Sequence, residues 1–237
     1  MIDWAFDVTE VFDQSPRLPF LAMDIFQRFC ASSQSFHANQ KIQYSLLAAT
    51  CLHMASKIES SSHIGLKDIV FCSDNTFQPA EVATMEENIL DALRWVLSCP
   101  PLLSDYINLY IDSIELLRRS PVLQWLTKYY AELCLQSLSF HSYSPSQIAA
   151  CVVTIVLFCV DECPATWPED LQTLSGYDWQ EIRKCTISLY TDIDTMNNSN
   201  ARKNSSIVNR YGKRERLSVS NIKFPPLRQF EHIVRQA

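Results

Sequence analysis

The chain has 237 residues, a formal charge of −6 and 47% hydrophobic residues, the composition of a packed globular protein. Only three glycines occur, Gly65, Gly176 and Gly212, which argues against phosphate-cradling loops and dinucleotide folds, since these place several glycines within a few positions. Residues 1–194 hold 11 Lys+Arg against 24 Asp+Glu, and residues 195–237 hold 9 against 2, so the body is acidic and poorly suited to gripping nucleic acid, where phosphate neutralisation supplies most of the affinity.

Scarce glycine with abundant Leu, Ala, Gln and Glu predicts an all-α chain. In chain order, Met1–Phe12 reads as a helix. Leu18–Ala31 follows, with Pro16 and Pro19 at its start, where proline is tolerated. Lys41–Ile58 is apolar almost all round, which suits the centre of a bundle. Leu66–Cys72 is a short helix. Ser73-Asp74-Asn75-Thr76 is a turn, and Pro79 opens a helix that runs to about Trp95.

Cys99-Pro100-Pro101 breaks the chain. Leu102–Leu117 comes next, and Ser120-Pro121 opens Val122–Ser139. Pro145 opens Ser146–Val160. Trp167–Leu174 is short, Gly176 is a stop, and Asp178–Asp194 is the last clear helix. The halves echo each other: Ser45-Leu46-Leu47-Ala48-Ala49 and Ser146-Gln147-Ile148-Ala149-Ala150 each open the most apolar helix of their half. This predicts two five-helix domains, 1–99 and 100–194. Residues 195–237, rich in Asn, Ser, Arg and Lys, read as a basic tail, extended or partly ordered.

The nine cysteines form no CxxC and no Cys/His cluster, which predicts free, buried thiols in a reducing compartment. No signal peptide is visible, and the longest apolar run, Ile148–Val160, is too short to span a bilayer. His37, His53, His63, His141 and His232 are scattered and form no metal or catalytic set. No cofactor, metal site or membrane contact is expected.

Two charged residues stand out. On the Pro79–Trp95 helix, Val82, Met85, Ile89, Leu90, Leu93, Val96 and Leu97 form one stripe, and Glu86 falls near its middle. Lys57 lies in the last turn of the most apolar helix. A carboxylate in an apolar stripe needs a partner, because burying it alone costs several kcal/mol. One reading is a Lys57–Glu86 ion pair that staples two helices. The other is that both charges reach the surface and bond main-chain groups of a partner.

An ordered set of stretches makes the chain resemble a cyclin, most closely the mitotic A/B type. Met1-Ile2-Asp3-Trp4 with Asp7-Val8 is similar to the end of the first cyclin-box helix. Phe20-Leu21-Ala22 with Asp24–Phe29 is similar to the second, and Leu46–Ala49 through Ala55-Ser56-Lys57-Ile58-Glu59 to the third. Asp68-Ile69-Val70, Ser73–Phe77, Met85-Glu86 and Ile89–Trp95 complete the box. Glu132-Leu133, Pro145–Ala150 and Leu174-Ser175-Gly176-Tyr177 resemble the second box.

The resemblance implies tandem five-helix cyclin boxes and a regulatory subunit of a cyclin-dependent protein kinase in cell-cycle control, not an enzyme by itself. It implies that Lys57 and Glu86 anchor the kinase catalytic subunit. It also implies a groove for Arg-x-Leu substrates or inhibitors at Met1, Trp4, Asp7, Ile42 and Gln43, where an aromatic anchor, a carboxylate and an amide suit such a peptide. Core packing is the alternative for Trp4. The family's first helix begins before Met1, so the chain is expected to be N-terminally truncated. Nuclear and cytoplasmic residence is expected, with no direct nucleic-acid contact. The alternatives are a transcription-factor-like tandem cyclin fold that binds DNA and a scaffold that binds without activating.

Overall fold

A computed structural model describes residues 2–32, 40–98, 100–159, 169–198 and 205–222, with backbone alone at 40–43, 138 and 139. The described residues are helical, without a strand. They divide into two compact units, Met1–Leu102 and Leu103–Ala237.

The first unit holds five helices: α1 (Ile2–Val11), α2 (Leu18–Ser32), α3 (Gln40–Glu59), α4 (Leu66–Cys72) and α5 (Pro79–Ala92). α3 is the hub, and α2, α4 and α5 pack on it. Its Leu47, Ala49, Leu52 and Ala55 are fully buried. Leu18, Leu21 and Ile25 of α2, Ile69 of α4, and Val82 and Ile89 of α5 close over them. α5 starts where Pro79 supplies a preset φ and the Gln78 N–H donates to Glu81 Oε2 at 2.7 Å.

α5 stops three residues short of the expected end. Arg94 and Trp95 take left-handed φ angles of 52° and 61°, so the 100° spacing fails beyond Ala92. The expected stripe therefore holds at Val82, Met85 and Ile89, which are buried, and fails at Val96, which is exposed.

The second unit contains α6 (Leu103–Ser113), α7 (Glu115–Arg119), α8 (Pro121–Cys134), α9 (Pro145–Cys159), α10 (Glu169–Ser175), α11 (Trp179–Asn198) and α12 (Ser206–Tyr211). α9 is its hub: every residue from Ile148 to Phe158 is buried. α6, α8, α10 and α11 pack on it. Such an unbroken apolar run can only be satisfied by neighbours on all sides. α11 opens with a reciprocal cap. The Asp178 N–H donates to Glu181 Oε2 and the Glu181 N–H donates to Asp178 Oδ1. Gly176, at φ 72°, ends α10 in the left-handed conformation that side chains resist.

Two expectations change here. The single helix at 102–117 is broken at Ile114, which is extended, and α7 restarts at Glu115. Both Ile114 and Leu117 are buried. Second, of the extended and partly ordered readings of the segment after residue 194, the ordered one holds at 206–221. α11 continues to Asn198. Residues 206–221 then form α12 and two 3-10 turns, Arg214–Arg216 and Val219–Asn221, which pack on α8. Ile207, Tyr211 and Val219 are buried. Polar composition hid a short apolar stripe.

α8 is capped by Ser120, whose Oγ accepts from the Leu123 N–H, ahead of Pro121. Ser120→Ala is expected to lower stability by about 1 kcal/mol, read as a shift in the urea midpoint with an unchanged slope. The seven described cysteines are free. Burial pushes the Cys51 and Cys151 thiols well above their ordinary range. No helix among the described residues is long and apolar enough to cross a membrane.

Candidate functional site

The last turn of α3 and the second turn of α5 meet at the surface of the first unit. Lys57 Nζ donates to Glu86 Oε1, forming an ion pair. The lysine side chain is 37% exposed and the carboxylate 19%. The geometry is that of the first sequence reading, an ion pair across two helices, and the pair lies partly at solvent. An exposed pair of this kind is worth about 0–1 kcal/mol to folding.

A histidine backs the pair. His53, one helical turn before Lys57, is 3% exposed. Its Nδ1 lies 2.7 Å from the Ile64 carbonyl, and its Nε2 lies 3.8 Å from Glu86 Oε2. Burial pulls its pKa below the ordinary imidazole value. The Ile64 carbonyl opposes that shift, Lys57 reinforces it, Glu86 opposes it and His63 reinforces it. Ser56 ties the same region. Its Oγ donates to the His53 carbonyl at 2.7 Å and accepts from the Ile64 N–H at 3.1 Å. Glu59 accepts from Arg17 at 2.7 Å and fixes the end of α3. In the sequence His53 stands among scattered histidines. Its i, i+4 spacing to Lys57 was the available signal.

Trp4 lines a cleft of about 300 Å³ with Tyr44, Ser45 and Ala48 of α3 and with Cys72, Ser73, Asp74, Thr76 and Phe77. Its Nε1–H donates to the Cys72 carbonyl at 2.9 Å, which holds the ring upright between α1 and α4. On its other side it lines a smaller apolar cleft with Pro19, Ala22, Met23 and Phe26 of α2. Trp4 thus serves packing and surface at once. Asp7 is half-buried on α1 and lines neither cleft. Met1 lies outside the described residues. Ile42 and Gln43 sit near the start of α3, their side chains outside the described residues. Tyr44 and Asp74 line the cleft as well, and Asp74 stands in the turn that the sequence marks.

In the second unit, Glu132 on α8 is buried. Its Oε2 accepts from Arg210 Nη2 at 2.8 Å, and its Oε1 accepts from the Tyr211 hydroxyl at 2.7 Å. Burial, reinforced by Glu132, pushes the Tyr211 phenol well above its ordinary range. Among the described residues, no group of three His, Cys, Asp or Glu could hold a metal ion.

Comparison with known proteins adds lineage to this geometry. The cyclin N-terminal domain family matches residues 1–98, and the cyclin C-terminal domain family matches residues 101–225. The chain is 29% identical to Cyclin-A2-1 of Arabidopsis thaliana over 80% of its own length and 42% of that protein. It is 28% identical to Cyclin-A2-1 of Oryza sativa subsp. japonica over 97% of its own length and 46% of that protein. It is also 28% identical to Cyclin-B1-3 of Arabidopsis thaliana, over 78% and 43%. The chain thus spans less than half the length of these three relatives. Its fold is similar to that of a viral cyclin from herpesvirus saimiri, with a TM-score of 0.66 over 81% of this chain and 82% of the other at 17% identity. With both domains matched in order on an all-helical two-unit fold, the chain belongs to the cyclin family.

Proposed function

We propose that this chain is the regulatory subunit of a cyclin-dependent protein serine/threonine kinase acting in cell-cycle control. The observation that carries the reading is the Lys57–Glu86 pair, placed at the surface where the end of α3 meets the second turn of α5. In the free protein each charge satisfies the other. In a complex, Lys57 donates to main-chain carbonyls of the kinase and Glu86 accepts from its N–H groups. Exposed Ile58 on α3 and Phe71 on α4 add apolar area on the same unit. The chain supplies binding energy that selects the active kinase conformation, and the kinase supplies the ATP and metal sites. The protein acts in nucleus and cytoplasm.

The Trp4 cleft docks Arg-x-Leu segments of substrates or inhibitors. Its aromatic wall takes the leucine, and Asp74 offers a carboxylate to the arginine. Trp4→Ala is expected to weaken such a peptide at least tenfold by fluorescence polarisation, in line with loss of an aromatic anchor worth about 2 kcal/mol. Equal affinity in both proteins would remove the cleft from the docking role.

The function itself is tested by mixing the chain with an inactive, monomeric cell-cycle kinase from the same organism and assaying histone phosphorylation. Activation supports the reading. Binding without activation supports the scaffold alternative. Absence of binding by the folded chain at micromolar concentration sinks it.

A further inference from the structure

We propose that His53 is a positioning residue for Glu86: unprotonated, it leaves that carboxylate free to bond outward, and on taking a proton it holds the carboxylate inward. The consequence for kinase capture rests on the function proposed above. The local geometry does not.

Hydrogen bonding fixes the tautomer of His53. The Ile64 carbonyl can only accept, and Nδ1 lies 2.7 Å from it. Nδ1 therefore carries the ring proton, and the neutral ring presents a bare lone pair at Nε2. That lone pair faces Glu86 Oε2 at 3.8 Å, acceptor against acceptor. Neutral His53 makes no bond to the carboxylate, so Glu86 is left to Lys57 or to a partner. A second proton has one place to go, Nε2. It turns the same contact into an attraction between opposite charges, which draws Oε2 in from 3.8 Å toward hydrogen-bond distance.

The surroundings make this contact selective. His53 is 3% exposed, so the outlet for its Nε2–H is Glu86 and not solvent. The charged and titratable groups that act on the ring are few. Lys57 comes from its own helix, Glu86 from α5, and His63 from the α3–α4 loop with its ring centroid 6.2 Å away. On α2, Asp24 and Arg28 pair with each other at 3.1 Å. Lys57 and His63 oppose protonation, and Glu86 favours it.

The sign of the pH effect follows. Burial lowers the folded-state pKa of His53 below its unfolded value near 6.5. Its contribution to folding is complete above about pH 6.5 and is lost as pH falls through the folded value. Over the same fall, Glu86 passes from the outward to the inward arrangement.

The test has two arms. In the free chain, the His53 ring is titrated by NMR in the wild type, Glu86→Gln and Lys57→Ala. Glu86→Gln is expected to lower the midpoint and Lys57→Ala to raise it. A midpoint indifferent to Glu86→Gln overturns the positioning role, whether or not a kinase binds. In the second arm, affinity for the kinase catalytic subunit is measured from pH 7.5 to 5.5 for the wild type and for His53→Asn. Asparagine can still donate to the Ile64 carbonyl but takes no proton. The wild type is expected to weaken more than His53→Asn, by a factor that grows as pH falls and stays below about tenfold at pH 5.5, since the folded pKa lies below 6.5. A parallel loss in both proteins overturns the gating. His53→Leu serves as a second variant should His53→Asn fold poorly. Lack of binding at pH 7.5 counts against the kinase-binding reading alone, and the NMR arm still decides the His53–Glu86 contact.

Discussion

Arg210→Ala is expected to destabilise the second unit by about 3–5 kcal/mol, the cost of leaving a buried charge without its partner. The charge is Glu132 on α8, in a site where the two side chains are 10% and 6% exposed. Arg210 satisfies one carboxylate oxygen and Tyr211 the other. Both partners come from α12, in the segment whose composition reads as a solvated tail. Tyr211 also packs on Trp125 and Tyr129, and the Arg216 guanidinium lies 4.9 Å from its ring centre. Tyr211→Phe keeps that packing and removes one hydrogen bond to a charged acceptor, so it should cost about 1.5–3 kcal/mol. Replacing all three polar partners together, Glu132→Leu with Arg210→Met and Tyr211→Phe, should recover most of the loss, because no buried charge remains. Urea unfolding followed by tryptophan fluorescence reads these differences. A loss below about 1 kcal/mol for Arg210→Ala would show that water reaches Glu132. The Tyr211 bond is also expected to survive alkaline pH. The phenol's folded pKa is raised above its unfolded value near 10, so its contribution is complete below that value and is lost only as pH rises beyond it.

Lys57→Ala and Glu86→Ala should each weaken kinase binding by about 30- to 1000-fold, or 2–4 kcal/mol, while hardly changing the stability of the free chain. The contrast follows from where the pair sits. In the free protein it lies at solvent, and an exposed ion pair contributes about 0–1 kcal/mol. At an interface the same charges lose water, and each must be matched by a partner group. Truncating one leaves that group unpaired. The double variant should lose less than the sum of the two single losses, since the residues act on one patch. Isothermal titration with the kinase and urea unfolding of the free chain decide the matter together. Loss of stability in step with loss of binding would make the pair a structural staple. Unchanged binding would move the interface elsewhere.

Much of the fold was legible in residue order. The prolines at 79, 121 and 145 open helices because their fixed φ and missing N–H suit a first turn. The apolar run at 148–158 forms the hub of its unit because no solvent-facing side could tolerate it. Lys57 and Glu86 were legible as misfits, since charge in an apolar stripe needs a partner. Other features were not. Ile114 breaks a helix that periodicity would continue: its backbone is extended although both Ile114 and Leu117 are buried. α12 carries a polar composition, and its docking depends on Glu132, more than seventy residues away.

By itself the sequence determined an all-helical chain of two related units, the hub helix of each, and the charged residues that the hubs could not absorb. These are local matters of periodicity, capping and composition, and each is settled within a few turns of chain. Only the tertiary structure decided that Lys57 pairs with Glu86 at solvent, that His53 stands behind the pair with one nitrogen already spoken for, and that residues 206–221 are folded. Each of those depends on which groups from distant stretches meet and how much water they keep. Charge, hydrogen bonding and burial at one point in space are properties of the packed chain, and no window of residue order contains them.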